Sequence, residues 1–521
     1  MGFTAVVNGN GQESYPESRV LIIITGGTIC MQPSADGSGL VPVVGFLESA
    51  MAPRPSFNDR SERVKLTAIK DGEKVELDSL RTPPSSYSRH IRYGALEFSP
   101  LLDSSSISSE GWSQIATTVK ENYHLFDGFV VLHGTDSLAY SASALSFMME
   151  DLGKPVILTG SQASIFALQS DAVDNLLGSL IVAGTFVIPE VCLFFHHTLF
   201  RGNRTTKVSA SQFQAFDSPN CEPLAKVTSI GIDVNWSLVQ RPTKIAQFKV
   251  TPYLDTAHVA CVRIFPGIKP EMINFISNIP DLKGLILETF GMGNAPSGVD
   301  GSLTKAIRSA VERGITVVNV SQCTNGFVSP LYAPGFALGK AGVVFGHDLT
   351  SEAALTKLGY LLTLKIEPAE VASLMSQSLR GELTELAVPA FSHPVREESN
   401  PLLSGAEAAF TLLGYAIANG DLKAVRDLLE GDELNHRLLV RADYAGNTPM
   451  HLAAVGPSKD VLKELLLRGT SVHERNRANN TPLFLAIKSE RQEFAELLRA
   501  AGAALWWEEG GASRTGSPKA K

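Results

Sequence analysis

VLIIITGGT, residues 20–28, is a run of five apolar residues that ends in Thr25-Gly26-Gly27-Thr28. A short, unbroken apolar run is the mark of a strand buried on both faces, and so of a parallel sheet covered by helices. The same pattern recurs outward from it. FVVL (129–132) ends in His133-Gly134-Thr135-Asp136, and PVIL (155–158) and VCLFF (191–195) follow, with helical stretches such as 138–151 between them. It resumes in VACVRIF (259–265), GLILETF (284–290) and ITVVNVS (315–321), while 211–256 reads as a connection. The fold class expected is therefore α/β, with two α/β domains built on parallel sheets at 19–220 and 221–390. Residues 1–18 are expected to be disordered, and the polar, Pro-containing stretch 391–405 to be a linker.

Past that linker the chain repeats. GNTPMHLAAV (446–455) is echoed by NNTPLFLAIK (479–488), with Thr448 and Thr481 33 residues apart. That period and the T-P-L-H-x-A-like core resemble the ankyrin repeat. Thr caps a helix, Pro fits its first turn, and the apolar residues after it face the next repeat. YAIANGDLKAVRDLLEGDELN (415–435) reads as a degenerate earlier unit. An all-α ankyrin array is expected over 406–505, and a disordered tail over 506–521.

Apolar residues make up 44% of the chain and charged residues 19%, with a formal net charge of −8, which leaves no basic footprint for nucleic acid. No apolar run approaches the ~20 residues that span a bilayer. The polar start, MGFTAVVNGNGQESYPESR, lacks the layout of a signal peptide. The five cysteines are scattered, with no C-x-x-C pair, so no disulfide framework and no zinc site are indicated. A cytoplasmic protein without membrane insertion is expected.

Three turns carry hydroxyl, carboxylate or amine groups. Thr25–Thr28 ends the first strand, where open α/β sheets place their ligands. The phosphate-loop alternative would need G-x-x-x-x-G-K-[ST], which is absent. His133–Ser137 follows a strand and opens a helix, whose N-terminus can hold a developing oxyanion. Asp136 reads equally as a plain N-cap. RGNRTTK (201–207) is either a solvated basic face or a place where a desolvated lysine acts as a base.

Together these motifs resemble the bacterial-type L-asparaginase family, especially its type I, cytoplasmic branch, over about residues 19–385. TGGTI (25–29) and HGTDS (133–137) look like its two signature segments. LLDSSSI (101–107), ALSFMMEDLGKPVILTGSQ (144–162), RGNRTTK, ETFGMGN (288–294) and SEAALTKLGYLL (351–362) are also similar. An asparaginase followed by ankyrin repeats is a known subgroup.

The resemblance implies hydrolysis of L-asparagine to L-aspartate and ammonia, with Thr28 as nucleophile and no metal or organic cofactor. It implies a threonine–lysine–aspartate relay of Thr135, Lys207 and Asp136. Asp103, Ser104 and Ser105 would bind the α-carboxylate and α-ammonium of the substrate, with Thr135 and Asp136. Asn294 would serve a neighbouring subunit's site, so a homodimer or homotetramer is expected, with an unidentified protein partner for the repeats. One departure stands out: SGLVPV (38–43), comparable to the family's mobile flap, has Leu40 and no tyrosine, so no phenol relays a proton there. The alternatives are a lysophospholipase or esterase, a label some relatives carry although no G-x-S-x-G occurs here, an amidase subunit acting on charged tRNA, and an ankyrin scaffold on a catalytically weak enzyme.

Overall fold

The computed structural model describes residues 6–7, 13–34, 39–241, 246–384, 405–430, 438–443 and 445–505. The chain divides into two compact units, one formed by 1–240 with 247–385, the other containing the repeat region after 386. No helix among the described residues is long and apolar enough to cross a membrane.

The first unit is built on a ten-stranded sheet. Its strands in chain order are β1 (Glu17–Gly26), β2 (Lys65–Lys70), β3 (Glu73–Arg81), β4 (His90–Leu102), β5 (Gly128–Leu132), β6 (Val156–Thr159), β7 (Val191–Phe195), β8 (Thr198–Arg201), β9 (Ala225–Thr228) and β10 (Gly231–Val234). Across the sheet they run β10-β9-β8-β7-β6-β5-β1-β4-β3-β2. The middle five, β7-β6-β5-β1-β4, are parallel. The flanking strands pair antiparallel. β1 shows why the middle is parallel. Leu21 and Ile23 pack on one face against Trp112 and Ile115 of α1 (Ser109–Asn122) and Leu145 of α2 (Leu138–Met148). Val20, Ile22 and Ile24 pack on the other face against Leu176 and Leu180 of α3 (Ala172–Thr185). Only a strand with apolar residues at every position can fill both layers.

β9 and β10 differ from expectation, because they extend the first sheet past residue 220 through a stretch that reads as a connection. AKVT and GIDV alternate polar with apolar and are half exposed, as edge strands are, so they lack the buried-strand pattern. Near the N-terminus, Val6–Val7 pairs with Glu13–Ser14, so the disorder expected over 1–18 does not hold at those positions. Of the linker expected over 391–405, residues 391–404 lie outside the described residues and Gly405 already opens a helix; the tail at 506–521 also lies outside them.

A second sheet of four parallel strands, β11 (Val259–Arg263), β12 (Gly284–Thr289), β13 (Thr316–Ser321) and β14 (Val344–Phe345), runs in simple chain order. Leu285, Leu287 and Val317 face α4 (Pro270–Ser277) and α5 (Ser302–Glu312). Ile286, Val318 and Val320 face Leu358 and Leu361 of α7 (Ser351–Thr363), which shares its core with α2; α6 (Ala333–Lys340) precedes it and α8 (Pro368–Met375) follows. Ser143 of α2 and Thr356 of α7 meet hydroxyl to hydroxyl at 2.7 Å.

Among its described residues the repeat unit shows three helix pairs, α9 (Gly405–Asn419) with α10 (Leu422–Leu428), α11 (Pro449–Val455) with α12 (Lys459–Leu467), and α13 (Pro482–Lys488) with α14 (Gln492–Ala500). The 33-residue period is visible in the backbone. Asp443 pairs with Asn447 and Asn476 with Asn480 in matching turns, joined by Asn476 Nδ2 donating to Asn447 Oδ1 at 2.9 Å. His451 Nδ1 accepts from the Thr448 backbone at 3.1 Å, which leaves Nε2–H to donate to Asn480 O in the next repeat.

Candidate active site

β4, β1 and β5 are neighbours, all parallel, and their carboxyl ends lie side by side. The chain leaves β1 to build strands on one side of it (β2 to β4) and then crosses to build β5 to β10 on the other. That reversal is a topological switch point, where open sheets leave a crevice for a ligand. Two of the three turns singled out in the sequence follow these strands, Thr25–Thr28 after β1 and His133–Ser137 after β5; Asp103–Ser105 follows β4, and the third turn, 201–207, follows β8.

Glycine brings the turns into contact. Gly27 has φ +92°, and a Cβ there would lie 2.5 Å from Gly134 N. A Cβ on Gly134 would collide with Ser104 Oγ. Thr25 Oγ1 ties the end of β1 to Leu132 O at 2.8 Å, and Ser137 Oγ donates to Ser104 O. Thr28 opens a single 3-10 turn, Thr28–Cys30, and is half-buried. The strand after it, Met31–Pro33, pairs with Leu40–Pro42, and Leu40 and Val41 are exposed on that hairpin.

Thr135 and Lys207 meet. Lys207 lies on a two-residue strand paired with Phe216–Asp217, where the buried Phe216 ring packs on Phe195. Its Nζ donates to Thr135 Oγ1 at 3.0 Å and to Asp136 Oδ1 at 2.8 Å. Asp136 is therefore not the helix cap; Ser137 occupies that position. The ion pair is 21% exposed at lysine and 69% at aspartate, so its contribution to stability is small, and its geometry matters more than its energy. A lysine bonded to a buried threonine hydroxyl at a sheet switch point can pass a proton to or from that hydroxyl.

Asp103 and Ser105 are exposed and bonded to each other, the carboxylate accepting from Ser105 N at 3.1 Å and Ser105 Oγ at 2.8 Å. These bonds hold the Asp103 carboxyl below the usual carboxylate range. Ser104, by contrast, is buried against Gly134.

Two groups escaped the sequence reading. Gln162, in the turn after β6, accepts from Thr135 Oγ1 at 3.2 Å and donates through Nε2 to Gln212 O. Its backbone N–H and that of Ala163 are fixed by the Asp171 carboxylate. The signal available was its place after a buried strand neighbouring β5. His133 is fully buried beneath the second turn, with Nδ1 on Gly134 O at 2.8 Å and Nε2 on Ser141 Oγ at 2.9 Å; Trp112 donates to that same hydroxyl. Burial pushes its pKa down to about 4, so a neutral imidazole braces the Gly134 turn.

Asn294 lies apart, on the second sheet. Its backbone closes the turn Phe290–Asn294 after β12, and its Oδ1 is buried without a hydrogen-bond partner. No hydrogen bond among the described residues joins it to Thr28, Thr135 or Lys207. The described residues also hold no group of three or more His, Cys, Asp or Glu side chains placed to bind a metal ion.

Comparison with known proteins identifies the domains. Residues 19–240 match the asparaginase N-terminal family, 258–375 the glutaminase/asparaginase C-terminal domain, and 413–506 three copies of the ankyrin repeat. The chain is 41% identical to a 60 kDa lysophospholipase of Mus musculus, over 87% of this chain and 79% of that protein. It is 36% identical to an L-asparaginase of Dirofilaria immitis, over 94% and 82% respectively. It is 41% identical to L-asparaginase 1 of Escherichia coli, over 71% of this chain and 98% of that one. The crystal structure of L-asparaginase I from Vibrio cholerae superposes with a TM-score of 0.59 at 40% identity, covering 71% of this chain and all of the other. The chain belongs to the asparaginase family, as a member whose two asparaginase domains are followed by ankyrin repeats.

Proposed function

We propose that this chain hydrolyses the side-chain amide of L-asparagine to L-aspartate and ammonia. The observation that carries the reading is Lys207 Nζ bridging Thr135 Oγ1 and Asp136 beside the turn that bears Thr28. Thr28 Oγ attacks the amide carbon and yields its proton, the C–N bond breaks, and ammonia leaves with the added proton. Water then attacks the threonine ester, releasing aspartate and restoring the hydroxyl. Thr135 and nearby backbone N–H groups stabilise the oxyanion. Lys207, once it has shed a proton, accepts one through Thr135. Asp136, with the Asp103–Ser105 segment, holds the α-ammonium and α-carboxylate. No metal or organic cofactor enters any step.

The same reading makes the enzyme a homodimer or homotetramer in which Asn294 completes a neighbouring subunit's site. The orphaned Asn294 Oδ1 supports it. So do Phe327, Leu331, Tyr332 and Phe336, all exposed on the segment whose Ser329 N bonds Met292 O beside that turn. A fully active monomer in sedimentation analysis would contradict it. The repeats recruit a protein partner, and the enzyme works in the cytoplasm.

The test is a side-by-side assay of ammonia released from asparagine and glutamine and fatty acid released from a lysophospholipid. Ammonia from asparagine should dominate. Fatty-acid release alone would favour the lysophospholipase reading, and no turnover at all would favour the scaffold.

A further inference from the structure

The matched asparaginase domain stops at residue 375, yet the chain beyond it is tied to the turn that leads into Lys207. We propose that residues 377–384 form a strap that positions Lys207, with Arg204, Asp348 and Thr384 as positioning residues. The inference rests on the role given to Lys207 above.

The strap is anchored from three directions. Arg204, 4% exposed, grips Asp348, 9% exposed, through two parallel hydrogen bonds of 3.0 and 2.9 Å. The same guanidinium donates to Glu382 O and Thr384 Oγ1, both at 2.8 Å. Thr384 in turn donates its backbone N–H and its hydroxyl to Asp348, at 2.9 and 2.6 Å. Asn203 Nδ2 donates to Arg380 O at 3.0 Å. Inside the strap, Glu382 accepts from Leu379 N and Arg380 N and pairs at 2.6 Å with Lys357, both side chains being fully buried.

Buried ion pairs of this kind are poor sources of stability, because desolvation offsets most of the attraction. What they impose is a single geometry. Arg204 stands three residues before Lys207. The intervening Thr205 is buried and bonded to Arg201 O, and Thr206 Oγ1 is held by Glu352 at 2.7 Å. Lys207 has a four-carbon stem and must reach two oxygens at once, so it can do so only if its backbone is fixed. A displacement of about 1 Å at such a site can cost as much as 10²-fold in rate.

A double-mutant cycle in the full chain tests this. Asp348→Asn should lower kcat about 10-fold with KM changed by less than about twofold, and should have no further effect once Lys207→Met is present. Thr384→Val, on an exposed residue, should give a smaller drop of the same kind and serves if Asp348→Asn does not fold. A merely structural strap would lower activity equally in both backgrounds, and equal losses, or unchanged kcat in Asp348→Asn and Thr384→Val, overturn the proposal. Wild-type kcat in Lys207→Met would instead bring down the reading of Lys207, and the strap with it.

Discussion

Two sheets of the described residues have neighbouring parallel strands with turns at their carboxyl ends, and the first of them gathers the chemistry. In the first sheet, the turns after β1, β5 and β4 touch at Gly27, Gly134 and Ser104, and Lys207, further along the chain past β8, comes within hydrogen-bond reach of Thr135 and Asp136. In the second, the Phe290–Asn294 turn also follows a buried strand, yet it presents one unpartnered amide oxygen. The difference is topological. β11 to β14 are laid down in sequence, so their connections never part to opposite sides, whereas the chain reverses direction around β1. A sheet without a reversal has no crevice at its strand ends. The second sheet's contribution is instead a covering surface and, in the proposed oligomer, one residue lent to another subunit.

The largest expected effect breaks or keeps that contrast. Thr28→Ala should reduce kcat by about 10³-fold or more, because a nucleophile has no substitute. Its melting temperature should hold, since a half-buried hydroxyl at a turn adds little to the core. Asn294→Ala, on the other sheet, should act far more weakly and mainly on KM. If Asn294→Ala silenced the enzyme while Thr28→Ala did not, the switch point would not be the catalytic centre.

His133 sharpens the comparison through stability. Its folded pKa of about 4 lies below the ordinary histidine value of 6.5. As pH falls through 6.5 the unfolded chain takes up a proton that the folded chain refuses. The stabilisation is therefore full above that pH and declines until about pH 4. Between pH 7 and 5 the loss should be about 2 kcal/mol, read from urea unfolding. His133→Gln should flatten that slope; an unchanged slope would place the titrating group elsewhere.

Asp136→Asn should raise KM for asparagine by about 10-fold or more, since a charge-assisted contact is worth ~1.5–3 kcal/mol. Wild type should discriminate strongly against succinamic acid, which lacks the α-ammonium, and the variant much less. Equal discrimination by both would mean that the ammonium binds another group, with the Asp103 carboxylate the next candidate.

These contrasts follow what could be read from the chain. VLIIITGGT and HGTDS were legible because a doubly buried strand has no polar position, so the run and its terminal glycines stand out locally. The edge strands at 225–234 were not, because their alternation is that of any exposed segment. Arg201 and Arg204 read as a possible solvated face. They are buried because Glu190 and Asp348 meet them, and the second of these partners lies 144 residues along the chain, beyond any local pattern. Gln162 was missed for the same reason: its partner Thr135 lies in the turn after a neighbouring strand, and only the sheet brings the two together.

The smallest effect is expected from removing residues 396–521. Every residue given a chemical role lies before 300, and the strap that steadies Lys207 ends at Thr384, so a chain ending at 395 keeps both. The repeats have a core of their own, in which Leu413, Ile417, Met450, Leu462, Leu483 and Leu498 pack from one helix pair to the next. Repeat units pack against their neighbours and offer a surface. A monodisperse truncation should therefore retain kcat and KM within about twofold. Aggregation of the shortened chain would reveal apolar surface that the repeats normally cover. A large fall in kcat in a soluble truncation would mean that the strap is held in place from beyond residue 395, and the repeat segment would then count as part of the machinery that positions Lys207.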